Sequence, residues 1–121
     1  MIRAMNWIVA GAGWGFLGVA LGAFGAHGLK GRVDEQALCW LHTAAQYHLV
    51  HALAIVATGL LRAQAGRGDA AGWAFLAGSL VFSGSLYVMA LGGPRWLGAV
   101  TPLGGLGMLA GWALLALSAR G

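Results

Sequence analysis

Charge is what this sequence most lacks. Of its 121 residues seven are Lys or Arg and three are Asp or Glu, 8% in all, while 60% are hydrophobic. A water-soluble domain carries about 25% charged residues because its surface has to be wetted. So few ionic side chains cannot cover a globule of this length, which excludes the soluble globular class and makes lipid the expected solvent. Cysteine occurs once, at Cys39, which excludes an intrachain disulfide. Paired CxxC and HExxH spacings are absent as well, so no strong zinc signature is present. Proline occurs twice, at Pro94 and Pro102, leaving long stretches uninterrupted. The formal charge is +4, but its cations stand singly or in pairs. A basic patch able to neutralise several phosphates together is missing, so nucleic acid is excluded as a partner. The cations read instead as anchors at lipid headgroups.

What is present is long and apolar, with a mean hydropathy of +0.78. Between Arg3 and Lys30 lie 26 residues without Asp, Glu, Lys or Arg, and the windows 36–61, 70–94 and 96–119 are equally free of them. A helix crosses a hydrocarbon core of about 30 Å with roughly 20 residues. Helices also satisfy their own backbone groups in lipid, which isolated strands cannot do. The expected fold is all-α: an integral membrane protein built as an up-down bundle of four transmembrane helices. A single membrane domain is expected over 1–121, with helices near 6–26, 36–61, 70–91 and 96–119. Arg3, an apolar run and the small residues near Ala20 imitate a secretory signal peptide, but the run is too long for its hydrophobic region.

Glycine, at 22 residues, is abundant. Gly11, Gly15, Gly18, Gly22 and Gly25 recur every three or four residues, forming one stripe on helix 1 where another backbone can approach closely. Gly104, Gly107 and Gly111 offer helix 4 a similar face. The partner of each stripe is left open: a helix of the same chain, or a second copy in a homo-oligomer. Asp34 and Glu35 suit the start of helix 2, where negative charge complements the helix dipole. Pro102 falls in the first turns of helix 4 and is expected to kink it or delay its start. Arg3, Arg62, Arg67 and Arg120 lie on one side of the membrane and Lys30, Arg32 and Arg95 on the other, a count that leans toward cytoplasmic termini.

The first half of helix 2 breaks the apolar pattern. Residues 46–56 read QYHLVHALAIV. At 100° per residue Trp40, Thr43, Tyr47, His51 and Thr58 share one stripe, Cys39, His42 and Gln46 form a second, and His48 lies beyond His51 on the far flank. Polar side chains in a span face protein or water, and Ser79, Ser83 and Tyr87 of helix 3 are the natural partners. Three readings stand open. The polar residues tie helices together; or they bind haem or a metal, using His51 with His27 or His48, or Cys39 with His42; or they line a proton or small-molecule path through His51. No nucleophile with base and acidic third member can be assembled around Cys39, so no enzyme is expected. No cofactor is assigned, and membrane lipids are the expected surroundings.

The words AFGAHGL (23–29) and QYHLVHALAIV, joined by Trp40-Leu41-His42-Thr43-Ala44, resemble the YgdD-like family of small four-span membrane proteins of unknown function. That family has bacterial inner-membrane members and a small eukaryotic transmembrane relative. The likeness is most specific over residues 20–56. It implies a multipass protein of the bacterial inner membrane and supplies no activity. The positions matching its recurring words are His27, Gln46, Tyr47 and His51, expected to converge where helices 1 and 2 meet near one membrane face.

Overall fold

The computed structural model describes residues 5–120, and the structural statements below concern those residues. Arg3, which enters the orientation count, lies outside them. Four helices are long and apolar enough to cross a membrane. The first, α1 (Trp7–Leu29), begins where the Val9 N–H donates to Asn6 Oδ1 at 3.2 Å. It passes through a wider π turn at Ala20–Gly25 before a last α turn at Ala26–Leu29, three residues past the expected end. Helix α2 (Glu35–Ala65) opens on Asp34, whose Oδ1 accepts from the Ala37 N–H at 2.8 Å. It closes on Gly66, whose φ of 73° favours a residue without Cβ. The loop expected over 62–69 therefore shrinks to the three residues before α3 (Asp69–Ala90), because Arg62-Ala63-Gln64-Ala65 are all good helix formers. Pro102 delays the fourth span: Arg95–Ala99 forms a 3-10 turn, and α4 (Thr101–Arg120) follows with the proline in its first turn, where no N–H is needed.

Helices α2 and α3 form the central pair. Half of the apolar window of α2 and 44% of that of α3 are buried inside the protein, against 11% for α1 and 17% for α4. Helix α1 packs along α2, and α4 along α3. The outer helices turn Phe16, Phe24, Leu103, Leu106 and Leu117 outward, as lipid requires. The exposed Trp73 stands near one end of the bundle and the exposed Trp96 near the other, where an indole can meet the headgroups.

Both glycine stripes are used within the chain. A Cβ on Gly11 would lie 2.7 Å from Val56 Cγ2, one on Gly18 2.8 Å from Leu49 Cδ2, and one on Gly22 3.0 Å from Ala45 Cβ, all on α2. Across the other seam a Cβ on Gly78 would meet the Met108 backbone nitrogen at 2.5 Å, and one on Gly111 would meet Phe75 Cδ1 at 2.5 Å. Helices drawn this close exchange dispersion contacts backbone to backbone, which substitutes for the hydrophobic drive that lipid does not supply. Self-association through these two stripes would need them vacated.

The seam is testable by comparing two glycines of α3. Gly78→Ala is expected to cost about 1–3 kcal/mol by overpacking against rigid backbone. Gly84→Ala, where nothing lies within 4 Å, is expected to be neutral or stabilising by up to about 1 kcal/mol. Thermal unfolding of the two variants in mild detergent checks the contrast, and equal melting temperatures would contradict the packing.

Candidate functional site

Chain spacing on α2 decides which polar residue meets which neighbour. Leu41, Ala45, Leu49, Ala52 and Val56 face α1, and His48 falls at the edge of that face, where α1 and α3 both reach it. Its ring enters because Gly18 has no side chain; a Cβ there would lie 3.1 Å from His48 Cδ2. His48 is fully buried. Its Nε2 lies 2.7 Å from the carbonyl oxygen of Trp14, which can only accept, so Nε2 carries the hydrogen. Nδ1 is then the acceptor and takes the Tyr87 hydroxyl hydrogen at 2.8 Å. The Trp14 indole lies over the imidazole, centroids 3.8 Å apart, and its Nε1–H donates to Ser79 Oγ at 2.9 Å. Ser79 in turn donates to the Phe75 carbonyl at 2.7 Å. A parallel link runs from Ser83 Oγ to the Ala44 carbonyl at 2.7 Å. One imidazole thus joins three helices.

His51 lies about 60° further round α2, toward α4, and takes the opposite tautomer. Its Nδ1 lies 2.7 Å from the Tyr47 carbonyl and donates to it, leaving Nε2 to accept the Trp112 indole N–H at 3.1 Å. Phe75 braces both, 4.9 Å from Trp112 and 5.8 Å from His51 by ring centroids. The Tyr47 ring runs nearly parallel to His51 and packs against Phe82 at 4.7 Å. Tyr47, His51, Phe82, Leu106 and Trp112 border a groove of about 390 Å3 that opens sideways between helices. At the end of the bundle holding the termini, the Trp7 indole donates to Asp69 Oδ1 at 2.8 Å, and Arg62 pairs with the same carboxylate at 3.2 Å.

The convergence expected at the α1–α2 boundary does not form. His27 is exposed, because its neighbours Ala26 and Leu29 are the ones that pack on Ala37 and Leu41. His42 and Gln46 are exposed on the outer face of α2, Tyr47 is half-exposed beside α3, and His51 turns toward α3 and α4. Only His48 meets α1. The pair His48 and His51 does not face one point: His48 is held between Trp14 and Tyr87, and His51 between the Tyr47 carbonyl and Trp112. Among the described residues no three His, Cys, Asp or Glu side chains come together around a metal-sized space. Ser79, Ser83 and Tyr87 do take part in the buried network, as α3 partners should. Trp14 and Trp112 were not singled out from sequence. A buried indole N–H needs an acceptor, and that requirement was the available signal.

Four apolar spans, aromatic ends and a polar interior fully paired among its buried side chains define an integral, multipass helical membrane protein. The chain belongs to the family described as Protein of unknown function (DUF423), which matches residues 21–105. It is 41% identical to the UPF0382 membrane protein YwdK of Bacillus subtilis (strain 168), over 93% of this chain and 94% of that protein. It is 44% identical to the UPF0382 inner membrane protein YgdD of Escherichia coli (strain K12), over 87% of this chain and 82% of that protein. The UPF0382 membrane protein SH2409 of Staphylococcus haemolyticus is 39% identical, over 92% of each chain. No solved structure matches.

If Tyr87 ties α3 to His48, Tyr87→Phe lowers stability by about 0.6 kcal/mol and by no more than about 1.7, the average and the maximum found for interhelical hydrogen bonds in membranes. Combined with His48→Ala, its cost is expected to fall by a similar amount, since the shared bond is already gone. A double-mutant cycle by thermal unfolding in detergent measures this; additive losses would contradict the link.

Proposed function

We propose that this protein is a non-catalytic, rigid multipass component of the bacterial cytoplasmic membrane, and that His48 and His51 serve as permanent cross-ties between its helices. The observation carrying this reading is that all four ring nitrogens already hold partners of complementary kind. A metal or haem iron takes a ring-nitrogen lone pair, and Tyr87 and Trp112 occupy the two available. The name of the Escherichia coli relative as an inner membrane protein supports the location. The Lys and Arg count supports cytoplasmic termini.

Elemental and absorption analysis of protein purified in mild detergent tests the reading. A colourless preparation with far less than one metal per chain is expected. Stoichiometric metal or a Soret band, lost in His48→Ala or His51→Ala, would sink it. For orientation, a reporter fused after Gly121 is expected to be active as a cytoplasmic enzyme and silent as a periplasmic one; the reverse would invert the topology.

A further inference from the structure

The outer surface of the bundle carries one departure from lipid chemistry among the described residues. Gln36, Cys39, His42 and Gln46 follow one another every three or four residues on α2, and all four are exposed. No described residue hydrogen-bonds to any of their side chains, nor to the Tyr47 hydroxyl beside them. Farther along, the same stripe turns apolar with the exposed Val50 and Leu53. Elsewhere the mid-span surface is Phe, Leu, Val, Ala, Gly and Trp.

Depth makes the stripe anomalous. Gly18 is the midpoint of Trp7–Leu29 and packs on His48 and Leu49, so that level marks the bilayer centre. At 1.5 Å of rise per residue, Gln46 lies about 3 Å from that plane and His42 about 9 Å. Cys39, at about 14 Å, stands near the edge of a hydrocarbon half-layer of about 15 Å, with Gln36 in the headgroups. A primary amide and an imidazole thus face acyl chains, which accept and donate nothing.

We propose that this stripe is a homodimer interface, covered by the same stripe of a second copy. Two copies inserted with one topology are related by a two-fold axis along the membrane normal. Each residue on the stripe then meets its own counterpart at its own depth, which demands self-complementary groups. The stripe supplies them. A glutamine amide is both donor and acceptor, and so is a neutral imidazole. Gln46 pairs with the partner's Gln46 near the bilayer centre and His42 with the partner's His42 above it, while Val50 and Leu53 close the seam below. A covering lipid tail would leave Gln46 and His42 unpaired. The glycine stripes do not compete for the role, since α2 and α3 already fill them.

The exposed Cys39 is a built-in reporter, because two cysteines link only when their Cα atoms come within about 7 Å. Native membranes treated with copper-phenanthroline are expected to give a reducible dimer band, absent in Cys39→Ser. In that background a cysteine at Leu53 should restore the band, and one at Leu80, exposed on α3 away from the stripe's helix, should not. Gln46→Leu should raise the dimer dissociation constant at fixed protein-to-detergent ratio by roughly five- to tenfold, without loss of helicity or of thermal midpoint in the remaining single chains. A single chain throughout by light scattering in mild detergent, with no Cys39 band in membranes, would overturn the proposal. So would cross-linking from Leu80 in place of Cys39, or a Cys39 adduct containing a different protein.

Discussion

Close backbone approach at glycine is the constraint on which the rest of this bundle depends. Lipid tails are as apolar as the faces of its helices, so no hydrophobic force presses them together. What remains is dispersion and hydrogen bonding, and both fade within an ångström of poor fit. Gly11, Gly18 and Gly22 bring α1 onto α2, and Gly78, Gly104 and Gly107 bring α4 onto α3. The His48 ring reaches the Trp14 carbonyl only because α1 lies that near. A side chain at Gly18 would push the helices apart and leave the imidazole short of its acceptor. The hydrogen-bonded network is therefore downstream of the glycine seam rather than an independent source of cohesion.

Much of this was legible before any coordinates. Four uncharged windows mark four spans because charge cannot enter hydrocarbon, a rule that tolerates little exception. The ends were less legible. Arg62 looked like the start of a loop because it is charged, yet it continues α2 to Ala65, since a snorkelling arginine serves equally well on a helix. The π turn at Ala20–Gly25 left no sequence signal beyond its small residues.

The polar residues show where periodicity stops informing. Helical spacing gives the angle between two side chains on one helix but not the neighbour at either angle. His48 and His51 differ by about 60°, which seemed close enough to share a ligand. On α2 that small angle separates the side facing α1 from the side facing α4, and the two rings end in different networks with opposite tautomers. His51 drew attention because it shares a stripe with Tyr47, whereas His48, placed on the far flank, proves the more deeply embedded. His27 looked significant for its recurring sequence context, and the structure gives it no buried partner.

One rule sorts every polar group in the molecule: hydrocarbon neither donates nor accepts. Inside, the rule selects imidazole, serine and indole, whose donors and acceptors can be matched one to one between helices, and among the described residues no buried side-chain nitrogen or oxygen atom is left without a partner. An imidazole is well suited to this because it offers one donor and one acceptor on opposite edges of a rigid ring, enough to span two helices from a third. Outside, the same rule has no partner among the described residues to offer Gln46 and His42. A surface that obeys the rule everywhere else is then read most simply as half of a structure in which it is obeyed there too. The symmetry of identical chains in one membrane supplies the matching half, because groups that are their own complements are the kind a two-fold axis can pair.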